Sequence, residues 1–242
     1  MELRKDYILE RYVIVSSDRG KRPFEFEKQE TVRKKSKDFF APGNEKLTPP
    51  EIGRIGNKKS WKLRWFANKF AAVKQEGDPI IRTDNKFFTF SAAYGFHEVI
   101  VETPDSKKQL ADLTIDEIKN LLNVYSDRIK NISNINNIRY VCIFKNQGKD
   151  AGTSLFHAHS QLIAYNKIPT LVQEKINAVK RYPSCPYCEI LNIEKTSYRR
   201  CFENNNFVAF TPYASRFHYE IWIFPKEHIK NITEMDNKKI KV

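Results

Sequence analysis

Residues 139–163, Arg139-Tyr-Val-Cys-Ile-Phe144-Lys-Asn146-Gln-Gly148-Lys-Asp-Ala-Gly152-Thr-Ser154-Leu-Phe-His157-Ala-His159-Ser-Gln161-Leu-Ile163, read as strand, loop, strand. The first six residues are a β-branched and aromatic run, and the turn formers gather in the middle. If the stretch from His157 to Gln161 is extended, its period of two puts His157, His159 and Gln161 on one face and Ala158 and Ser160 on the other. The small loop residues Gly148, Ala151, Gly152 and Ser154 let backbone N–H groups approach an anion closely. A neutral imidazole beside such donors can attack phosphorus, and Gln161, uncharged and able to donate, can steady the transferred group. Two plainer readings stand beside this one. The histidines are half-buried strand residues satisfied by hydrogen bonds, or they chelate a metal, although no carboxylate or third histidine follows at close spacing.

Working outward, Thr114-Ile-Asp-Glu117 is a capping box, followed at helical spacing by Ile115, Ile118, Leu121, Leu122, Tyr125 and Ile129. Trp61 to Phe66 and His97-Glu-Val-Ile-Val-Glu102 read as strands, and Phe40-Ala-Pro-Gly-Asn-Glu-Lys-Leu-Thr-Pro-Pro50 as an irregular loop. Strand, helix, strand, loop, strand predicts an α+β layer built on a mostly antiparallel sheet. Glu98-Val-Ile-Val-Glu-Thr-Pro104 is echoed 122 residues later by Glu220-Ile-Trp-Ile-Phe-Pro225. An internal repeat is therefore expected, with residues 1–180 as a first, catalytic unit and 181–242 as the start of a second. The counterpart of Gln161 would fall past Val242, and a helix start at Asn237-Lys-Lys-Ile-Lys-Val242 reads as cut short.

The 242 residues carry 42 Lys+Arg against 29 Asp+Glu, a net charge of +13, which raises the question of an anionic polymer as partner. The excess is diffuse, +5 over residues 1–60 and +8 over the remainder, so it lacks the clustered stripe of a nucleic-acid module. No apolar run approaches the length of a bilayer span, the charged N-terminus is unlike a secretory signal, and four cysteines make no disulfide framework. A cytoplasmic protein without a membrane partner is expected.

Asn146-x-Gly148, Ala151-Gly152-x-Ser154 and His157-x-His159-x-Gln161 together resemble the active-site signature of the galactose-1-phosphate uridylyltransferase family. That family lies in the histidine-triad (HIT-like) superfamily and includes ADP-glucose phosphorylases. Ser17-Asp-Arg19-Gly-Lys-Arg22-Pro23, Pro42-Gly-Asn-Glu45, Trp61 and Asn68-Lys-Phe70 match in the same order. The resemblance implies an α+β HIT-like fold in tandem repeat, the second copy incomplete here. It implies double-displacement nucleotidyl transfer, with UMP moved from UDP-glucose to galactose 1-phosphate. In it His159 is the nucleophile, Gln161 and Ser154 hold phosphate oxygens, Asn146 and Gly152 lie at the phosphate, and Arg19 and Arg22 add charge to the diphosphate. Asn68 and Phe70 line the nucleoside pocket, and His157 orients or binds. The partners implied are a nucleotide-sugar, a sugar 1-phosphate and a second copy of the chain. ADP-glucose or dinucleoside polyphosphate phosphorolysis by the same histidine is the alternative chemistry, and a nucleotide- or nucleic-acid-binding module is the non-enzymatic one.

Relatives with a zinc in the first repeat carry two cysteines and a histidine where this chain has Asp38, Ala41 and Ser106. Only His157 remains of that set, so no first-repeat zinc is expected, with Asp38 and His157 left as a residual pair. In the second repeat Cys185-Pro-Tyr-Cys188 has zinc-knuckle spacing. The resemblance supplies His228 as a third ligand and puts a fourth beyond Val242. A Cys-x-x-Cys redox pair is the competing reading of the two cysteines.

Overall fold

In the computed structural model, residues 2–15 and 37–235 are described. In chain order the strands are β1 (Glu2–Lys5), β2 (Tyr12–Val15), β3 (Glu51–Gly56), β4 (Trp61–Ala67), β5 (Arg82–Thr83), β6 (Thr89–Phe90), β7 (Gly95–Val101), β8 (Tyr140–Phe144), β9 (His159–Tyr165), β10 (Arg200–Glu203), β11 (Phe207–Phe210) and β12 (Trp222–Pro225). The helices are α1 (Ile115–Ser133), α2 (Thr170–Val179) and α3 (Pro186–Glu194). They fall into two units, one of residues 37–168 and one joining 2–15 to 169–234.

The first unit is a five-stranded sheet in the order β3-β4-β7-β9-β8, every neighbouring pair antiparallel. Helix α1 starts where the capping box requires: Thr114 Oγ1 accepts from Glu117 N–H, and the Glu117 carboxylate accepts from Thr114 N–H at 2.8 Å. Its apolar stripe covers one sheet face, where Leu121 and Val124 meet Leu63, Ile100 and Leu113, while Ile132 packs with Leu162 and Ala164. Val99, Val101 and Phe66 turn to the opposite face, against Phe40 and Trp61. In the register Val99 faces Gln161 and Val101 faces His159, so both polar side chains share that second face.

In the second unit β10-β11-β12 form an antiparallel sheet and β1-β2 a hairpin. Ile8 and Leu9 from the turn of the hairpin are buried with Ala178, Ile190, Leu191, Val208 and Phe210. Tyr7 Oη donates to Glu194 at 2.7 Å, and Glu194 also receives Arg199 at 2.8 Å. The later compact unit thus takes in the chain from residue 169 onward. The reason is α2: its Ala178 completes the core of the second unit, and a helix follows the surface that buries its apolar side.

Candidate active site

Strand β9 begins at His159, so His157 lies just before the ladder, its ring 6.1 Å from the Phe40 ring that also packs on His159. Its ring is buried, with Nδ1 2.8 Å from Asp38 Oδ2 and Nε2 2.7 Å from the Thr103 carbonyl. Both ring nitrogens are spent on protein oxygens. What His157 offers the site is its own carbonyl, which lies 2.8 Å from His159 Nδ1. A carbonyl only accepts, so His159 Nδ1 carries the proton and Nε2 keeps its lone pair. Burial is the main cause holding the His159 imidazole below its ordinary value; Lys145 pushes the same way, while the His157 carbonyl and Glu102 oppose it.

His159, Gln161, Ser154, Asn68 and Phe70 line one cavity of about 290 Å³, closed on its apolar side by Phe39, Phe40, Phe66 and Val99. Asn146 and Gly152 lie in the β8–β9 loop outside this lining, where the Asn146 carbonyl accepts from Thr153 Oγ1 at 2.6 Å. Gly148 and Gly152 have φ of +82° and +75°, so the loop needs glycine at both corners. Arg19 and Arg22 lie outside the described residues.

Two further groups of residues had no role in the sequence reading. His97 on β7 lies 2.9 Å through Nε2 from Gln161 Oε1, and its Nδ1 accepts from the Ala72 backbone N–H at 3.1 Å. Its position two residues before Val99 puts it on the site face, but only the register of β7 on β9 brings it to Gln161. Behind His159, on the α1 side, Ser160 donates to the buried Glu102 carboxylate and receives Tyr125 Oη. Lys145 closes the group, 2.8 Å from Glu102 and 3.3 Å from the His159 carbonyl. Burial, then the Glu102 charge, pushes the Tyr125 phenol well up, so it stays a donor.

In the second unit Cys185, at the start of α3, Cys188 and His228 place their donor atoms within 4.8 Å of one another. Cys188 Sγ and His228 Nδ1 are 3.1 Å apart. Two thiols and an imidazole converging in this way fit three corners of a tetrahedral metal site. The group borders a larger cavity of about 880 Å³ that also takes in Trp222, Phe224 and Lys175.

Comparison with known proteins agrees over the whole chain. Residues 1–169 match the family described as galactose-1-phosphate uridyl transferase, N-terminal domain. ADP-glucose phosphorylase of Arabidopsis thaliana is 33% identical over 98% of this chain and 69% of its own length. Galactose-1-phosphate uridylyltransferase of Thermotoga maritima is 29% identical over 100% of this chain and 71% of its own. The crystal structure of the Arabidopsis thaliana ADP-glucose phosphorylase with bound ADP-glucose superposes with a TM-score of 0.82, at 32% identity, over 99% of this chain and 72% of that one. A structure of uridylyltransferase gives 0.73 at 28% identity, over 99% and 71%. The match of residues 1–169 to the family model, with 33% identity over 98% of this chain to one relative and the same antiparallel α+β scaffold, places this protein in the galactose-1-phosphate uridylyltransferase family, which here includes ADP-glucose phosphorylase relatives.

Proposed function

We propose that the chain is a nucleotidyltransferase that moves UMP from UDP-glucose to galactose 1-phosphate through a covalent intermediate on His159. The observation that carries this reading is the contact of His159 Nδ1 with the His157 carbonyl at 2.8 Å, which fixes the tautomer with a lone pair on Nε2. Nε2 attacks the α-phosphorus; the bond from phosphorus to the bridging oxygen breaks and glucose 1-phosphate leaves. A phosphate oxygen of galactose 1-phosphate then attacks the same phosphorus, the P–N bond breaks, and UDP-galactose forms with the histidine restored. Splitting the transfer in two avoids a direct collision of two phosphate anions. Gln161 and Ser154 donate to the non-bridging oxygens, while Asn68 and Phe70 border the nucleoside. Asn146 and Gly152 shape the loop that carries Ser154, and Arg19 and Arg22 offer bidentate donors to the diphosphate.

ADP-glucose phosphorolysis is the second reading, favoured by the 33% identity and 0.82 TM-score to that enzyme against 29% and 0.73 for the uridylyltransferases. The two share every step at His159 and differ in the base and in the acceptor, which is inorganic phosphate in the second. Zinc at Cys185, Cys188 and His228 belongs to the same proposal, as a structural ion of the second unit. So do a first HIT-like repeat followed by part of a second, a homodimeric state and a cytoplasmic location. Steady-state kinetics decide the reaction. Parallel double-reciprocal lines with UDP-glucose and galactose 1-phosphate are the expected result. Turnover of ADP-glucose with phosphate alone selects the second reading, and oligonucleotide binding that collapses with salt, without turnover, overturns both.

A further inference from the structure

The geometry points to His97 as a positioning residue that fixes which end of the Gln161 amide faces the substrate phosphate, an inference resting on the nucleotidyl-transfer reading above. The tautomer of the ring follows from its neighbours. The Ala72 backbone N–H donates to His97 Nδ1 at 3.1 Å, so that nitrogen holds a lone pair and the neutral ring carries its proton on Nε2. His97 Nε2–H then donates to Gln161 Oε1 at 2.9 Å. Asn68 Nδ2 lies 3.2 Å from the same oxygen and also 3.2 Å from His97 Nε2. Donation to the ring is excluded, because a neutral imidazole does not accept at both nitrogens, so Asn68 donates to Gln161. Asn68 is itself oriented, its Oδ1 accepting from Phe70 N–H at 2.9 Å.

Two donors therefore occupy the two lone pairs of Gln161 Oε1, and the Nε2 amine is the end left for a ligand. That direction matters because the oxygen and nitrogen of an amide are nearly equal in shape, and steric fit alone does not choose between them. A non-bridging phosphate oxygen only accepts; a reversed amide would set Oε1 against it and replace attraction by repulsion as charge builds up in the transition state. His97 decides this sign from β7 through Gln161. The relay also ties the Asn68–Ala72 segment, which borders the cavity, to the sheet.

Three variants test the assignment: His97→Leu, which removes both ring functions; His97→Asn, which keeps a group near Nδ1 only; and His97→Gln, whose amide nitrogen reaches the place of the imidazole Nε2. Each is checked by thermal unfolding and assayed for the single-turnover rate of nucleotidyl-enzyme formation. We expect His97→Leu and His97→Asn to lose about tenfold in rate with KM within about twofold, and His97→Gln to recover most of the loss. In the wild type, nitrogen NMR of the ring is expected to show the proton on Nε2, and the Gln161 amide protons to exchange faster in His97→Leu. A proton on Nδ1, an unchanged rate in His97→Leu, or His97→Gln no better than His97→Leu overturns the assignment. If the wild type forms no nucleotidyl-enzyme, the transfer reading falls, and the ring tautomer with the Gln161 amide exchange decides the role of His97 by itself.

Discussion

A histidine that must attack phosphorus needs a lone pair at working pH, and His159 has one for a physical reason. Its ring is buried against Phe40, 5.2 Å away edge to face, and desolvation disfavours the charged form. The folded value therefore lies below the ordinary 6.5, so more of the ring is neutral at pH 7 than in a free histidine, and the neutral form is lost as the pH drops through the lowered value. The acid limb of kcat/KM against pH should accordingly lie below 6.5; a limb above 6.5 contradicts this environment. The pairing of His159 with Gln161 was legible because a period of two is local. The pairing of His157 with Asp38 came from the resemblance, whereas its contact with the Thr103 carbonyl was not legible, because Thr103 is distant in sequence and is brought there by the sheet. His97 escaped notice for the same reason: its partner is set by strand register.

At the scale of elements, α1 and β7 are joined by more than apolar packing. Arg128 on the helix reaches Glu98 on the strand with two hydrogen bonds, Nε to Oε2 at 2.9 Å and Nη2 to Oε1 at 2.6 Å, and the carboxylate is 2% exposed by residue. Removing the guanidinium leaves a buried charge without a partner, so Arg128→Met should lower stability by about 3–5 kcal/mol in urea unfolding. A loss under about 1 kcal/mol would show that water reaches Glu98. The cap at Thr114 works differently, through an exposed N-terminus, and Thr114→Ala should cost about 1 kcal/mol. The helix was readable from its capping box and spacing, as were strands β4, β7 and β8. The apolar pattern was followed only to Ile129, whereas α1 continues to Ser133, with Ile132 buried against Leu162. Only the sheet beneath explains those last residues. The Glu102–Lys145–Ser160–Tyr125 group links the residues just after β7 and β8 to β9 and α1 behind His159, and no spacing within one segment announces a contact of that kind.

For the whole molecule, two units with separate cores make separate demands. The unit of 2–15 and 169–234 places Cys185, Cys188 and His228 together, a group that could hold a metal ion, whose binding would add to the stability of that unit. Elemental analysis should find about one zinc per chain, lost in Cys188→Ser, with thermal unfolding of the wild type shifted down by a strong chelator. Full stability of a chain shown to be free of metal would contradict that structural role. The antiparallel α+β class was legible in the sequence. The joining of 2–15 to the later unit was not, since Tyr7, Ile8 and Leu9 are too few to show a period, and their burial depends on α2, α3 and β11. The central claim concerns a single bond, from His159 Nε2 to phosphorus. Intact-protein mass spectrometry after incubation with UDP-glucose, quenched at alkaline pH because a phosphoramidate is acid-labile, observes that bond directly. The account predicts a UMP adduct on the wild type and none on a folded His159→Ala variant; a folded wild type that gains no nucleotide from UDP-glucose or ADP-glucose, or an adduct that survives the substitution, would contradict it.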